Sequence, residues 1–339
     1  MKTAALTAPV RVSAYGMYVP QTVLSNADFE RMVETSDEWI VQRTGIRERR
    51  RVAENEYTSD MCAAAIEQLL RGFPHVQPAE IDFIIVASTT PDYVYPSVAA
   101  MLQERFGVPK SAGALDISAA CAGFCSALNL AAALIASGQA CNALIVTGEA
   151  LTRSVDYSDR STCVLFGDGA AAMYVEHSQP AMLAGMDSGS DGSAGPALFR
   201  TATRGEIAGV NDASGLLRQQ GRDVYRWVLE NIPTAVDRVL QRAGVTLAEI
   251  DWFIPHSANM RMIEALCKRI EFPLERTLTS VELFGNTSAV SIPLALIPAA
   301  RDGRVKRGDR ILLMGFGGGL VSAGAVLTWS ADPVLEPHP

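Results

Sequence analysis

Hydrophobic positions along the chain follow two alternating patterns, which predict helices and buried strands in turn. In segment 57–73, apolar residues recur at helical spacing behind Thr58 or Ser59, either of which is a suitable N-cap. The next segment, IDFIIVAST at 81–89, is a continuous apolar run typical of a strand that is covered on both faces. This alternation predicts an α/β fold.

A helix with almost no polar face is predicted at 121–138 (CAGFCSALNLAAALIASG), with Gly138 as the residue after its C-cap. Because this helix is apolar on nearly every side, we expect it to be buried between layers. The strand-like GALDI at 113–117 precedes it, and another helical pattern occupies 97–108. The second half of the chain repeats this kind of order, with helices or strands predicted at 221–245, 250–254, 259–270, 277–281, 287–303 and 309–315.

The chain contains one internal repeat. AEID followed by an apolar strand occurs at 79–90 and again at 248–259, an offset of 169 residues. NALIVTGEA, which begins at 142, and DRILLMGFGGG, which begins at 309, match with an offset of 167 residues. A nearly constant offset across several elements indicates two tandem copies of one α/β unit.

We place the two copies at 1–180 and 181–339, joined through a Gly/Ser-rich segment at 186–209 that is predicted to be a loop. Two sheets that share buried central helices would form a five-layer sandwich of alternating helix and sheet layers.

The composition is typical of a globular protein whose cysteines are reduced. Its 339 residues are 48% hydrophobic and 19% charged, which favours a large core, and its net charge of -8 argues against a nucleic-acid surface. The six cysteines lack framework spacing, and neither a secretory leader nor a membrane-spanning run is recognisable, so we expect a cytoplasmic protein that does not insert into membranes. Cys121 and Cys125 share a helix face without a second cysteine pair or a histidine cluster, so no metal site is expected.

Three side chains at the ends of predicted strands are candidates for chemistry. Cys121 is either a core thiol or a nucleophile favoured by a helix N-terminus. His256 in IPHSAN is either a buried neutral histidine or part of a site, and Asn286 in FGNTSA is either an N-cap or a hydrogen-bond donor. Equivalent strand ends converge in a duplicated fold, so we expect the three side chains to meet in one pocket.

The glycine run GFGGGL at 315–320 ends another predicted strand. It lacks the lysine and Ser/Thr that follow the glycines of a phosphate-binding P-loop. We therefore expect its backbone to approach the site closely, with a glycine N–H as an oxyanion donor.

Six motifs together resemble one enzyme family, β-ketoacyl-acyl-carrier-protein synthase III, whose members have the thiolase fold and start fatty-acid synthesis. The resemblance covers about residues 10–330 and rests on TSDEWIVQRTGIRERR (35–50), AACAGF (119–124), DRSTCVLFGDGAAA (159–172), PHSANMRM (255–262), FGNTSA (284–289) and GFGGG (315–319). It implies a thiolase-like αβαβα sandwich and a decarboxylating condensation of a short acyl-CoA with malonyl-acyl-carrier protein. No metal or organic cofactor is implied, because acyl-CoA is a substrate.

The resemblance also implies roles for the candidate residues. Cys121 would carry the acyl group as a thioester, and the N–H groups of Cys121 and Gly318 would form the oxyanion hole. His256 and Asn286 would serve decarboxylation; an asparagine cannot usefully accept a proton, so the pair is better suited to donating hydrogen bonds to an enolate. We expect the helix N-terminus and the backbone donors, rather than the apolar surroundings, to dominate the thiol's acidity.

Further residues match family positions that bind coenzyme A or partners. The segment from Ser36 is predicted to be helical, which places Arg43 one turn after Trp39. The residues implied to bind coenzyme A are Trp39, Arg43, Arg160 and Asn259. Those implied to dock an acidic acyl-carrier protein are Arg226, Arg261, Lys268 and Arg269. Tyr95 would cross a homodimer interface into the acyl pocket of the partner.

The sequence departs from the common family pattern at three places. Ser257 stands where many relatives have glutamine, LVSAG follows the glycine run where Thr-Trp is common, and Tyr95 replaces a frequent phenylalanine. These changes leave acetyl, propionyl and branched starters open. The segments 254–264 and 277–288 look closest to the second isoform of Gram-positive bacteria, which favours branched or short acyl-CoA. The alternatives are a specialised condensing enzyme that makes quinolones, polyketide starters or esters and, more distantly, a cysteine thioesterase.

Overall fold

Two mixed β-sheets face each other across a layer of helices in the computed structural model, which describes residues 5–332. The strands, in chain order, are β1 (Thr7–Ala8), β2 (Val10–Tyr18), β3 (Thr22–Ser25), β4 (Glu48–Arg51), β5 (Phe83–Ala87), β6 (Gly113–Ile117), β7 (Asn142–Ala150), β8 (Asp168–His177), β9 (Leu183–Ser190), β10 (Leu198–Arg200), β11 (Glu206–Ile207), β12 (Val210–Asn211), β13 (Leu217–Gln219), β14 (Trp252–Pro255), β15 (Arg310–Gly317) and β16 (Val321–Thr328).

The α-helices supply the layers on and between the sheets. In chain order they are α1 (Asn26–Glu30), α2 (Asp37–Thr44), α3 (Thr58–Gly72), α4 (Val98–Arg105), α5 (Gly123–Ala136), α6 (Gly221–Ala243), α7 (Met260–Ile270), α8 (Val281–Phe284) and α9 (Ser291–Arg301). Helices α3 and α4 cover the outer face of the first sheet, and α6 and α7 cover the second, whereas α5 and α9 contact strands of both sheets. The order of layers is therefore helix, sheet, helix, sheet, helix.

The two sheets share one topology, which shows the internal duplication directly. The first sheet has the order β2-β8-β7-β5-β6, and the second has β1-β9-β16-β15-β14. In both, two antiparallel pairings are followed by parallel ones: β2–β8–β7 then β5–β6, and β9–β16–β15 then β14. The short β1 pairs with β9 at the other edge, so the first described strand belongs to the sheet of the second half.

The predicted strand at 277–281 is wrong, because only Thr277 forms a bridge there. That bridge is parallel to Phe253 of β14, at the place that β6 holds in the first sheet. Leu278 then donates its N–H to the carbonyl of Phe253, and the chain enters α8 at Val281. A single bridge therefore replaces the fifth strand of the repeat.

The central helix α5 can lie between two sheets because its residues are small. A Cβ on Gly123 would lie only 3.0 Å from the Cβ of Ala289 and 3.1 Å from that of Ala87. The helix ends as predicted, with Gly138 in the left-handed region after the C-cap Ser137. Close packing of small residues thus brings both halves of the chain against the start of this helix.

Two further expectations about local structure are corrected. Helix α3 begins at Thr58 with Tyr57 as its N-cap, whose N–H donates to the carboxylate of Asp60, so neither Thr58 nor Ser59 caps the helix. The segment 186–209 is only partly a loop, because its first residues belong to β9, which lies between β1 and β16 in the second sheet. Because the residues of β9 in this segment are rich in glycine and serine, the sequence did not indicate a strand there. The strand packs against α6.

We expect Leu296→Ala to lower the free energy of unfolding by about 2–5 kcal/mol, because this leucine of α9 is fully buried in the central layer. Urea unfolding followed by circular dichroism measures the change. Leu283→Ala is the matched control, since Leu283 is 52% exposed, and it should change the free energy by about 0.5 kcal/mol or less. Equal losses in the two variants would contradict the central position of α9.

Candidate active site

Cys121 lies in a short 3-10 turn, Ala120–Ala122, between the end of β6 and the first residue of α5. Ala120 has a φ of 42°, a left-handed conformation that side chains rarely adopt. This turn places Cys121 before the first residue of α5, and the cysteine is 7% exposed.

Strand β15 passes so close to Cys121 that only glycine fits opposite it. A Cβ on Gly317 would lie 2.6 Å from the Cβ of Cys121 and 2.7 Å from its Sγ. This close approach allows two backbone N–H groups, those of Gly318 and of Cys121 itself, to hydrogen-bond to the sulfur. The same two donors would face an oxygen on an acyl group attached there.

Burial, not the helix N-terminus, dominates the acidity of this thiol. Loss of hydration raises the pKa of Cys121 to about 12, and hydrogen bonds with the Ser288 side chain and with the N–H groups of Gly318 and Cys121 offset this shift only partly. The expectation that the helix end would dominate is therefore wrong. The α-helix proper begins two residues after the cysteine, and the thiol is enclosed by apolar layers.

His256 follows β14, and its ring is fixed on two sides. Its Nδ1 lies 2.8 Å from the Oγ of Ser291, and its ring packs edge-on against Phe316 with centroids 5.5 Å apart. The N–H of Ser257 also donates to the Oγ of Ser291. Burial lowers the pKa of His256 to about 3, so the imidazole is neutral at physiological pH.

The contacts of Ser291 favour one tautomer of His256, whose ring also interacts with the backbone of Ser288. The Oγ of Ser291 already accepts from Ser257, and the serine is fully buried. Its own hydroxyl hydrogen is satisfied if it donates to Nδ1 of His256, which leaves the proton on Nε2. His256 then presents an N–H donor, not a base, on the other side of the ring.

Asn286 is held by a loop from the first half of the chain. Its N–H donates to the carbonyl of Leu165 and its carbonyl accepts from Gly167, each at about 3 Å. Gly285 precedes it with a φ of 63°, and a Cβ there would lie 2.7 Å from the Leu165 oxygen. The Oδ1 of Asn286 accepts from the N–H of Ser288, so its two Nδ2 hydrogens are left for other acceptors.

The three candidate side chains line one cavity of about 700 Å³ together with Gly318 and Asn259. Asn259 is the N-cap of α7, and its Oδ1 accepts from Met262. Most of the other lining side chains are apolar and include Tyr93, Val94, Leu151, Leu165, Phe166 and Leu198. The predicted convergence of Cys121, His256 and Asn286 is thus present, with one thiol and two hydrogen-bond donors in a largely apolar space.

Trp39, Arg43 and Arg160 form a separate cluster. The Arg160 guanidinium lies 5.1 Å from the centre of the Trp39 ring and that of Arg43 lies 5.9 Å from it. None of the three lines the cavity. Helix α2 carries Trp39 and Arg43, begins after the N-cap Ser36 as predicted, and packs on α7, which begins at the cavity.

The other predicted binding residues are exposed. Arg226 on α6 and Arg261, Lys268 and Arg269 on α7 point to solvent on two helices that pack together, and Arg226 pairs with Asp223. Tyr95 is 85% exposed and does not line the cavity of its own chain, although Tyr93 and Val94 do.

Several residues of the site were missed in the sequence. Glu149 at the end of β7 is fully buried next to Thr89 and Thr90. The only signal was a carboxylate at the end of an otherwise apolar strand. Arg49 is also fully buried; it donates to the carbonyl of Val164 and so supports the loop that holds Asn286.

Residues 5–332 contain neither a metal-binding cluster of side chains nor a helix that could span a membrane. No group of three or more His, Cys, Asp or Glu side chains there is placed to hold a metal ion. No helix in the same range is both long enough and apolar enough to cross a bilayer. His338 lies outside the described residues.

Comparison with known proteins agrees with the motifs. Residues 115–192 match the family described as 3-oxoacyl-[acyl-carrier-protein] synthase III, and residues 240–329 match its C-terminal part. β-Ketoacyl-[acyl-carrier-protein] synthase III 2 of Bacillus subtilis is 48% identical over 322 residues, 94% of this chain and 98% of the relative.

Two solved structures have the same fold over almost the whole chain. The β-ketoacyl-[acyl-carrier-protein] synthase III of Thermus thermophilus is 42% identical with a TM-score of 0.91, covering 95% of this chain and 100% of its own. The priming β-ketosynthase of the R1128 polyketide pathway is 34% identical with a TM-score of 0.89, covering 98% and 99%. The sandwich is therefore the thiolase-like fold, and the chain belongs to the β-ketoacyl-acyl-carrier-protein synthase III family.

Proposed function

We propose that this protein catalyses the decarboxylating condensation of a short acyl-CoA with malonyl-acyl-carrier protein, giving 3-oxoacyl-acyl-carrier protein and starting fatty-acid synthesis. The observation that carries the proposal is the shared cavity, in which the Cys121 thiol lies under two backbone N–H groups and beside His256 and Asn286. Relatives named as β-ketoacyl-acyl-carrier-protein synthase III support the same reaction.

In the first half-reaction the sulfur of Cys121 attacks the acyl-CoA carbonyl. The N–H groups of Cys121 and Gly318 that point at the sulfur stabilise the oxyanion of the tetrahedral intermediate. When the intermediate collapses, coenzyme A leaves and the acyl group stays on Cys121 as a thioester. The acyl chain then occupies the apolar part of the cavity.

In the second half-reaction the malonyl thioester loses CO₂ and becomes an enolate. The Nε2 hydrogen of His256 and the Nδ2 hydrogens of Asn286 donate to the enolate oxygen, and each donor contributes about 2.7–4 kcal/mol. The enolate carbon attacks the acyl carbonyl, the C–S bond to Cys121 breaks, and the sulfur takes up from solvent the one proton that the overall reaction consumes. Decarboxylation makes the carbanion without a base, which agrees with the neutral state of His256.

The substrates would approach along α2 and α7, one from each half of the chain, which pack together. The Trp39 ring and the two arginines beside it offer a flat surface and positive charge for the adenine and phosphates of coenzyme A. Asn259 at the start of α7 would contact the pantetheine arm inside the cavity. The reaction uses acyl-CoA as a substrate and requires no metal or organic cofactor.

The basic side chains Arg226, Arg261, Lys268 and Arg269 would dock the acidic acyl-carrier protein. They lie on α6 and α7, and Asn259, the N-cap of α7, lines the cavity. An otherwise acidic protein thus offers local positive charge to an acidic partner.

We also propose a cytoplasmic homodimer. Tyr93, Val94 and Tyr95 are 57%, 94% and 85% exposed, an unusual density of exposed apolar side chains beside the cavity. A second copy would cover this segment, and Tyr95 would then reach the acyl pocket of that copy.

A second candidate function is the priming condensation of another pathway, such as polyketide synthesis. The likeness to a polyketide priming β-ketosynthase favours it, because that enzyme shares the fold over nearly the whole chain. The two candidates differ in the acyl group that they accept, and we favour a short or branched starter.

Condensation with a panel of acyl-CoA substrates tests the proposal. We expect acetyl-, propionyl- or isobutyryl-CoA plus malonyl-acyl-carrier protein to give 3-oxoacyl-acyl-carrier protein, detected by mass spectrometry of the carrier. Intact-protein mass after incubation with the mixed acyl-CoAs identifies the preferred group. Condensation only with groups outside this set would favour the second candidate, and hydrolysis faster than condensation would favour a thioesterase.

We expect Cys121→Ala to abolish the acyl adduct, because no other sulfur lies under the two N–H donors. Cys125→Ala is the matched control: this cysteine lies four residues further along, in the first turn of α5, and is fully buried, but it does not line the cavity. Intact-protein mass should show the adduct in the control and none in Cys121→Ala. An adduct that persists without Cys121 would contradict its assignment as the nucleophile.

Asn286→Ala should spare acyl transfer and lower malonyl decarboxylation by about 100- to 1000-fold, since it removes one donor to the enolate. Asn286→Asp keeps an acceptor for the Ser288 N–H but has no N–H to donate, and it should lose decarboxylation equally. Rates of adduct formation and of CO₂ release separate the two steps. Equal loss of both steps would show that Asn286 does not act on decarboxylation alone.

A further inference from the structure

The buried thiol lacks an evident proton acceptor. Cys121 must lose its proton when it attacks the acyl-CoA carbonyl, but burial keeps the thiol protonated at physiological pH. His256 is a poor acceptor, because its pKa is lowered to about 3 and its Nδ1 is engaged by Ser291. The helix N-terminus does not overcome burial, so another group has to take the proton.

Glu149 is a carboxylate enclosed at the end of β7. It is 0% exposed and accepts hydrogen bonds from the Oγ1 of Thr89 at 2.8 Å and from the Oγ1 of Thr90 at 3.1 Å. The N–H of Thr89 also donates to both carboxylate oxygens at 3.2 Å. A buried carboxylate without a cation costs several kcal/mol if it gains nothing in return, and the fold keeps this one beside the site.

Ser288 connects Glu149 to the nucleophile. Ser288 is 3% exposed and lines the cavity together with Cys121. Its turn, Ser288–Val290, packs against β7, which carries Glu149, and against the turn that carries Cys121. Its side chain is therefore within hydrogen-bonding reach of both the thiol and the carboxylate. A hydroxyl donates only one hydrogen. It therefore donates to the carboxylate and accepts from the S–H group, which aligns the two hydrogen bonds in one direction.

We propose that Glu149 accepts the proton of Cys121 through the hydroxyl of Ser288 during acyl transfer. This inference rests on the proposed function. As the S–C bond forms, the S–H bond breaks and its proton passes to Ser288, whose own proton moves to Glu149. When the C–S bond to coenzyme A breaks, the proton returns through Ser288 to the leaving sulfur, so the carboxylate is restored.

The protonation of Glu149 suits this task. Burial raises its pKa to about 7, despite the hydrogen bonds from Thr89, Thr90 and Ser288 that oppose the shift. The titratable groups that interact electrostatically with it are Cys62 on α3 and Cys121. Among residues 5–332, no cation forms an ion pair with it.

Glu149→Gln distinguishes a proton acceptor from a merely electrostatic neighbour, because the two roles have opposite signs. The negative charge of Glu149 raises the pKa of Cys121. Its removal alone would therefore make the thiol more acidic and speed acylation. Loss of a proton acceptor should instead slow single-turnover acylation by acetyl- or isobutyryl-CoA by about 100-fold or more.

The pH profile gives a second readout. In the wild-type protein the acylation rate should rise with pH through about 7, as Glu149 loses its proton, and then level off. This inflection should disappear in Glu149→Gln, whereas the KM for acyl-CoA should stay near that of the wild type. Ser288→Ala, which keeps the charge of Glu149 and breaks the connection, should lose acylation to a similar extent.

Asp168→Asn is the matched control. Asp168 is also 0% exposed and accepts from a threonine, Thr152, but its other hydrogen-bond partner is the N–H of Val52 rather than Ser288. This variant should acylate like the wild type, and thermal unfolding checks that all variants are folded. If Glu149→Gln does not fold, Ser288→Ala decides the question alone.

The outcomes separate the two proposals. Unchanged or faster acylation in folded Glu149→Gln, or wild-type acylation in Ser288→Ala, would overturn the proton route and leave the proposed function intact. Absence of any acyl adduct on Cys121 of the wild-type protein would overturn the proposed function, and the proton route with it.

Discussion

The contact between Gly317 and Cys121 is the constraint on which the site depends. Strand β15 belongs to the second half of the chain and Cys121 to the first, and their backbones meet with no side chain between them. Any Cβ at 317 would overlap the thiol, as 2.6 and 2.7 Å separations show. This approach brings the N–H of Gly318 to the sulfur, where we propose that it forms half of the oxyanion hole.

The duplication divides the chemistry between the halves. The first half supplies the sulfur and the buried carboxylate, Cys121 and Glu149, and the second half supplies the hydrogen-bond donors, His256 and Asn286. Ser288 and the loop at 165–167 cross between them. Groups from both halves of the chain act together in the site. Misalignment of the two sheets would therefore weaken every step of the proposed reaction.

Much of the fold was readable from the sequence because its signals are local. Helix α2 begins after Ser36 and α5 ends before Gly138 as caps predict, and the repeat predicted two matching sheets. The strand at 186–190 was missed because its residues are small and polar, and its burial comes from α6, which lies far along the chain. Three of the site residues could be assigned by motif, but Glu149 and Arg49 could not, since only tertiary contacts explain buried charges.

Burial also explains the largest difference between expectation and structure. From the sequence, a cysteine at a helix start suggests a thiolate, but the same enclosure that raises the pKa of Cys121 lowers that of His256 and raises that of Glu149. All three groups are pushed toward their neutral forms by one cause, the exclusion of water. A neutral site of this kind suits condensation, because the charges of the oxyanion and enolate then appear only during the reaction and meet donors already in place. Burial also keeps the thiol protonated until an acceptor takes its hydrogen, and a protonated thiol reacts more slowly than a thiolate.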